Sequence, residues 1–139
     1  MDINEYLSQA YYADLQITNQ LQRLESLKAL ATKATAVFNA EPVTGTRDPH
    51  KMDKLIARIV DLEREVNADI DRLVELKAEL HALIASIPYR NCQVVLTLRY
   101  LNFYKWNSIA DSMGCSVRTV HNIHKKAITF LEETGMWAG

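Results

Sequence analysis

The chain has 139 residues, of which 16 are Lys or Arg and 17 are Asp or Glu, so its length favours one compact domain or two very small modules. This argues against an enzyme with separate cofactor and substrate domains. Four Gly and three Pro are too few for the frequent turns of a β-sandwich or barrel, and the composition is that of an all-α protein.

The sequence has no sign of a membrane or secreted protein. No uninterrupted apolar stretch approaches the roughly 18 residues that span a bilayer, and the acidic start, Met1–Glu5, has no basic segment followed by an apolar run. Cys92 and Cys115 are too few for a disulfide framework or a four-ligand zinc site. We expect a cytoplasmic protein with free thiols, no metal, no cofactor and no membrane partner.

The first half of the chain has the pattern of a long helix followed by a loop. Apolar residues advance from Ile3 to Phe38 by alternating steps of four and three, with Asp14, Lys28 and Thr35 as polar interruptions and with no Gly or Pro. The pattern predicts a helix over about 4–39. A connecting loop is predicted over about 40–51, which contain three residues that oppose helix continuation: Pro42, Gly45 and Pro49.

A second and stronger apolar stripe predicts a helix over about 52–87, which would complete an antiparallel hairpin over residues 1–87. Two interpretations of the stripe stay open. One is packing of the two helices within a chain; the other is self-association, with a homodimer favoured, because Ile56, Ile70 and Ile84 make the stripe wider than one partner helix can cover. The oligomerisation residues predicted from the stripe are Leu55, Ile59, Leu62, Val66, Leu73, Leu76 and Leu80.

Charge is distributed unevenly along the chain. Residues 1–87 carry 10 basic and 14 acidic side chains, a net charge of −4, whereas residues 88–139 carry 6 basic and 3 acidic, a net charge of +3. An anion-binding surface is therefore expected in the C-terminal part, which we divide into a small domain over 88–134 and a tail over 135–139.

Three short helices are predicted in this domain: one over about 91–101, one beginning near Trp106 and one after Ser116. The last two have the spacings of a helix-turn-helix. Ala110 leaves room for a close helix crossing, Gly114 tolerates the left-handed turn, and Val120 fills the crossing.

The exposed face of the last predicted helix has the chemistry of a DNA-reading surface. Arg can pair with guanine, Asn with adenine, and a Val methyl can contact thymine. The residues predicted to read bases are Ser116, Val117, Arg118, His121, Asn122 and Lys125. Those predicted to contact the DNA backbone are Arg90, Arg99, Lys105, Lys126 and the start of the middle helix, Trp106, Asn107 and Ser108.

Other interpretations of these residues are weaker. The domain could be a trihelical core with a solvated polar face. His121 and His124, three apart on a helix, have no suitable third and fourth metal ligands. The sequence also contains no Ser, His and acid grouping and no phosphate-binding glycine loop, so we do not expect an enzyme.

Four segments of the domain together resemble region 4 of sigma factors, the C-terminal part that recognises promoters. They are Val95–Tyr100, Trp106–Ala110, Ser116–Ile123 and Lys126–Ile128. The resemblance places Arg118, His121, Asn122 and Lys125 at or near the base-facing positions, and Arg99 at a position that contacts the DNA backbone.

The whole chain resembles short proteins of Gram-positive phages, including late-transcription regulators of the RinA and ArpU kind. The segments that carry this resemblance are Tyr6–Tyr11, Pro42–Gly45 and Ile59–Glu63. It implies a regulator that binds double-stranded DNA at phage or prophage promoters, associated with the host nucleoid, with RNA polymerase as a further candidate partner. The alternative is an interaction module whose helical hairpin binds RNA polymerase or another regulator. A structural protein of the virion is a third possibility.

Overall fold

The computed structural model describes residues 1–40 and 49–138, and in this part of the chain all regular structure is helical. The all-α class is confirmed. The elements are α1 (Ile3–Ala40), α2 (Pro49–Ala85), α3 (Arg90–Leu96), a π-helical turn (Thr97–Leu101), α4 (Trp106–Met113), α5 (Val117–Thr134) and a 3₁₀ turn (Met136–Ala138).

The predicted helices correspond to observed ones, with two differences at their ends. α2 begins at Pro49, before the predicted start, because proline is favoured at the first helical position, where its missing N–H costs no hydrogen bond. The helix predicted over about 91–101 is α3 followed by the π-helical turn. Most of the predicted loop, residues 41–48, lies outside the described residues. Among the described helices, none is both long and apolar enough to cross a membrane.

The chain divides into two compact units. The first contains Met1–Asp14 and Leu73–Gly139, and the second contains Leu15–Arg72. Ile87, the last residue before the predicted domain boundary, lies inside the first unit, where its side chain is buried in the same core as α5. The two ends of the long helices supply apolar surface that the short C-terminal helices pack against.

The core of the first unit joins five elements. The start of α1 packs with the end of α2, so the two helices run antiparallel. Trp137 in the tail packs against this core, with its ring 5.8 Å from that of Tyr6. The buried residues of this core are Ile3, Leu7, Ala10, Leu80, Leu83, Ile84, Ile87, Cys92, Leu96, Tyr100, Ala127, Ile128 and Leu131.

The second unit has a smaller core between α1 and α2. Leu24 of α1 is buried against Ile59, Leu62 and Val66 of α2. Lys28 Nζ lies 3.6 Å from a carboxylate oxygen of Glu63, but both side chains are about half exposed, so this ion pair contributes little to stability. The second unit therefore depends on its apolar contacts.

The predicted oligomerisation residues are buried or half-buried by contacts within the chain. Ile59, Leu62, Val66 and Leu80 are buried, and Leu55, Leu73 and Leu76 are half-buried against the same cores. The stripe therefore packs α2 within the chain, because α1 covers its centre, and a role of these residues in self-association stays a prediction.

We expect Leu80→Ala to lower the free energy of unfolding by about 2–5 kcal/mol, because Leu80 is fully buried where α2 meets the first core and its truncation leaves a cavity. Leu30→Ala is the control, because Leu30 is 54% exposed on α1, and it should change stability by no more than about 0.5 kcal/mol. Urea denaturation followed by circular dichroism measures both. Equal effects would contradict the burial of Leu80.

Candidate nucleic-acid interface

A tight turn joins α4 to α5 and sets the direction of α5. Gly114 has φ 67° and ψ 36°, the left-handed conformation that glycine adopts without a steric penalty. The Gly114 N–H donates to Asp111 O at 3.3 Å and the Cys115 N–H to Ala110 O at 3.1 Å, the two bonds of a Schellman motif. This turn satisfies the last carbonyl groups of α4 and stops the helix.

Ser116 defines the first turn of α5. Its Oγ accepts a hydrogen bond from the Thr119 N–H at 3.1 Å, as an N-cap residue does. Val120, one turn further on, is fully buried against Val95, Ile109 and Ala110. The cap and this apolar contact hold the N-terminal half of α5 against α4.

The opposite side of α5 is polar and exposed. Arg118, His121, Asn122 and Lys125 are all exposed, so the structure brings these four predicted residues together on one face. Val117 is different, because it is half-buried and packs against the core between α4 and α5. Ser116 is exposed, but its hydroxyl is occupied by the cap.

The other predicted cationic residues lie on the same unit. Arg90, Lys105 and Lys126 are exposed, as are Asn107 and Ser108 in the first turn of α4. The Nζ of Lys126 lies 3.8 Å from the centre of the Tyr89 ring, which holds its charge beside α5.

Arg99 is not a free surface cation. Its side chain is half-buried, and Nη1 donates to Tyr104 O at 3.0 Å. The guanidinium carbon lies 4.5 Å from the centre of the Trp106 ring, a cation–π contact. The ring of His121 lies on Trp106 as well, with the two centres 4.6 Å apart. Trp106 therefore connects Arg99 to the exposed face of α5.

A π-helical turn leads into this arrangement. The Asn102 N–H donates to Thr97 O at 3.0 Å, a hydrogen bond across five residues that widens the turn. Phe103 follows with φ 61°, a left-handed conformation that is costly for a residue with a side chain. The Tyr104 N–H then donates to Leu98 O at 2.9 Å and closes the loop before α4.

His124 is held as a neutral side chain below the exposed face. Its Nε2 lies 2.6 Å from the Tyr100 hydroxyl, and its ring centre is 5.0 Å from that of Trp106. Burial lowers the pKa of His124 to about 4, and the nearby His121 and Arg99 act in the same direction. The Nε2 atom of a neutral His124 can accept a hydrogen bond from the Tyr100 hydroxyl, whose own pKa is raised by burial. Within the described residues, no cluster of potential metal ligands is present.

Sequence reasoning missed the Tyr100–His124 pair and the stacking of Arg99 and His121 on Trp106. Trp106, predicted to contact the DNA backbone, is half-buried and packs against the core next to α4. The pairings themselves join residues from 7 to 24 positions apart, for example Arg99 with Trp106 and Tyr100 with His124. No local pattern in the sequence indicates them.

The described residues define the class of protein: an all-α chain with two long helices, and with short C-terminal helices of which α5 has one polar face that contains Arg118 and Lys125. The chain belongs to the DUF1492 family of proteins of unknown function, whose pattern matches residues 34–132. No significant match was found among curated proteins or among solved structures.

We expect Gly114→Ala to destabilise the protein by about 1–2 kcal/mol, the cost of a left-handed conformation for a residue with a Cβ. No atom lies within 4 Å of the position of that Cβ, so the cost is due to the backbone alone. Gly114→Asn should cost less, because asparagine tolerates this conformation better. Thermal denaturation of both variants tests the turn, and an asparagine variant less stable than the alanine variant would contradict this explanation.

His124 should make stability depend on pH. In the unfolded chain a histidine takes up its proton near pH 6.5, whereas folded His124 resists protonation until about pH 4. Its contribution to the free energy of unfolding is therefore fully present above pH 6.5 and falls as the pH decreases from 6.5 to 4. Urea denaturation across this range should show the decrease.

The control is a second histidine. His124→Gln should remove part of the decrease, whereas His81→Gln, a change at an exposed position of α2, should leave it in place. The same pH dependence in the wild type and in both variants would contradict the assignment to His124.

Proposed function

We propose that this protein is a sequence-specific regulator of transcription that binds double-stranded DNA at promoters through α4 and α5, arranged as a helix-turn-helix. The observation that supports this most directly is the exposed face of Arg118, His121, Asn122 and Lys125 on a helix whose other side is anchored by Val120. We further propose that it is encoded by a phage or prophage and acts in the host cytoplasm at the nucleoid.

In this proposal α5 lies in the major groove. Arg118 and Asn122 are four residues apart, so they project from adjacent turns of the same helical face. An arginine can donate two hydrogen bonds to the O6 and N7 atoms of guanine, and an asparagine can form a pair with adenine. The two side chains would then read neighbouring base pairs.

The backbone of the DNA would contact the surrounding cations and the start of α4. Lys105 immediately precedes α4, whose first amide groups carry the positive end of the helix dipole. Lys126 and Arg90 extend the positive surface. Each phosphate neutralised by such a side chain releases counterions and makes binding depend on salt.

Arg99 would take part indirectly. Its guanidinium is engaged with Tyr104 O and the Trp106 ring, so we assign it the positioning of Trp106 rather than a free phosphate contact. Trp106 in turn contacts His121 on the proposed DNA-binding face. Val117, half-buried, would contribute a smaller contact than its exposed neighbours.

Self-association would strengthen binding. One small helical unit makes few contacts with DNA, but two units on one dimer raise the effective concentration of the second contact. A dimer also favours DNA sites built from two related half-sites. RNA polymerase stays a further candidate partner, as expected for a regulator that acts at promoters.

We expect Arg118→Ala and Asn122→Ala to reduce discrimination between the preferred and unrelated duplexes by about 1–3 kcal/mol each, because each removes a base contact. Lys126→Ala should weaken binding to all duplexes alike and reduce the salt slope by about 1. The measurement is fluorescence anisotropy across a salt series, after selection of bound duplexes from a random pool.

Lys51→Ala serves as the control, because Lys51 is an exposed cation at the start of α2 in the second unit. It should leave both affinity and discrimination unchanged. Identical behaviour of the Arg118, Asn122 and Lys126 variants would contradict the division between base and backbone contacts. No binding to any duplex at low salt would overturn the proposed function.

A further inference from the structure

Within the described residues, a second row of apolar side chains on α2 is partly exposed. Ile56 is 49% exposed, Val60 40%, Ile70 38% and Val74 63%, and we call these four residues the outer row. At 3.6 residues per turn, the row lies about 90° around α2 from the buried stripe that includes Leu62. It therefore lies beside the surface that packs against α1, and Ile56 borders both, since it lines a groove together with Ala31 and Thr35 of α1.

The outer row has the spacing of a coiled-coil seam. Steps of four and three residues from Ile56 lead to Val60, then to Glu63 and Asn67, and then to Ile70 and Val74. Two apolar pairs thus flank a polar centre. Polar residues at seam positions reduce stability but select one register and one orientation of the partner helix.

The row is symmetric about Glu65, which points to a second copy of the same helix as its partner. Val60 and Ile70 lie five residues on either side of Glu65, and Ile56 and Val74 lie nine on either side. If two copies of α2 pack antiparallel with their axis of symmetry at Glu65, every apolar residue of the row faces an apolar residue of the other copy. Such an interface is self-complementary, as a twofold dimer requires.

Charge selects the antiparallel orientation over the parallel one. In the antiparallel pair, Asp53 faces Lys77 of the other copy, whose Nζ also lies 4.8 Å from the centre of the Phe103 ring of its own chain. Glu63, which pairs with Lys28 within its chain, faces Asn67. A parallel pair in register would instead place Asp53 against Asp53 and Glu63 against Glu63. Like charges at a partly desolvated seam oppose association.

We propose that a second copy of this chain packs antiparallel along α2 through the outer row. This gives the self-association in the proposed function a surface different from the stripe predicted from the sequence. The association is measured without DNA, so a chain that does not dimerise can be distinguished from a chain that does not bind DNA.

The test introduces opposite charges at two facing positions and measures the mass of the full chain by sedimentation equilibrium. Val60→Lys alone and Ile70→Glu alone should each weaken the dimer at least about tenfold, because each buries an unpaired charge. The double variant Val60→Lys, Ile70→Glu should recover most of this loss, because in the antiparallel pair each introduced cation faces an introduced anion. Leu30→Lys, a change at an exposed apolar position of α1, is the matched control and should not change the mass.

Each possible result of this experiment either supports or overturns the proposed dimer. Recovery in the double variant supports the antiparallel pair, whereas a double variant weaker than either single one would indicate a parallel pair and overturn it. A wild-type chain that stays monomeric, or a dimer unaffected by either single change, would also overturn it. Circular dichroism should show unchanged helix content in all variants, because both positions are exposed.

Discussion

The structure of the first unit depends on the burial of one side of α5. Val120 closes the contact with α4, and further along the helix Ala127 and Leu131 are buried in the core formed with the ends of α1 and α2. Because one side of α5 is packed along most of its length, the polar residues on the opposite side are held at fixed positions on the surface. Apolar burial on this scale is the main source of stability in a small domain.

The contacts around Trp106 tie this exposed face to the turn that precedes α4. Arg99 and His121 both lie on the indole ring, and His124 meets its edge while pairing with Tyr100. Burial disfavours the charged form of His124, and the nearby His121 and Arg99 act in the same direction, so the neutral form is favoured. Among the proposed recognition residues, His121 thus packs directly on the aromatic and polar side chains beneath the exposed face.

Much of the fold followed from local patterns. The heptad steps indicated α1 and α2, and the sequence from Gly114 to Ser116 indicated where α4 ends and α5 begins, because a left-handed turn and an N-cap each require particular residues. The residues of α5 that face solvent were likewise predictable from their helical spacing, with Val117 the exception. Its position in the first turn brings it against the core beside α4.

The sequence by itself determined the helical class, the two long helices, the glycine turn and the polar face of α5, since each is encoded by residues close together in the chain. Only the tertiary structure decided which apolar stripe of α2 is covered by α1, that the ends of the long helices belong to the core of the C-terminal unit, and that Tyr100 meets His124. These outcomes depend on contacts between residues distant in sequence. Helical periodicity specifies which residues share a face, but the partner of that face is set by the packing of the whole chain.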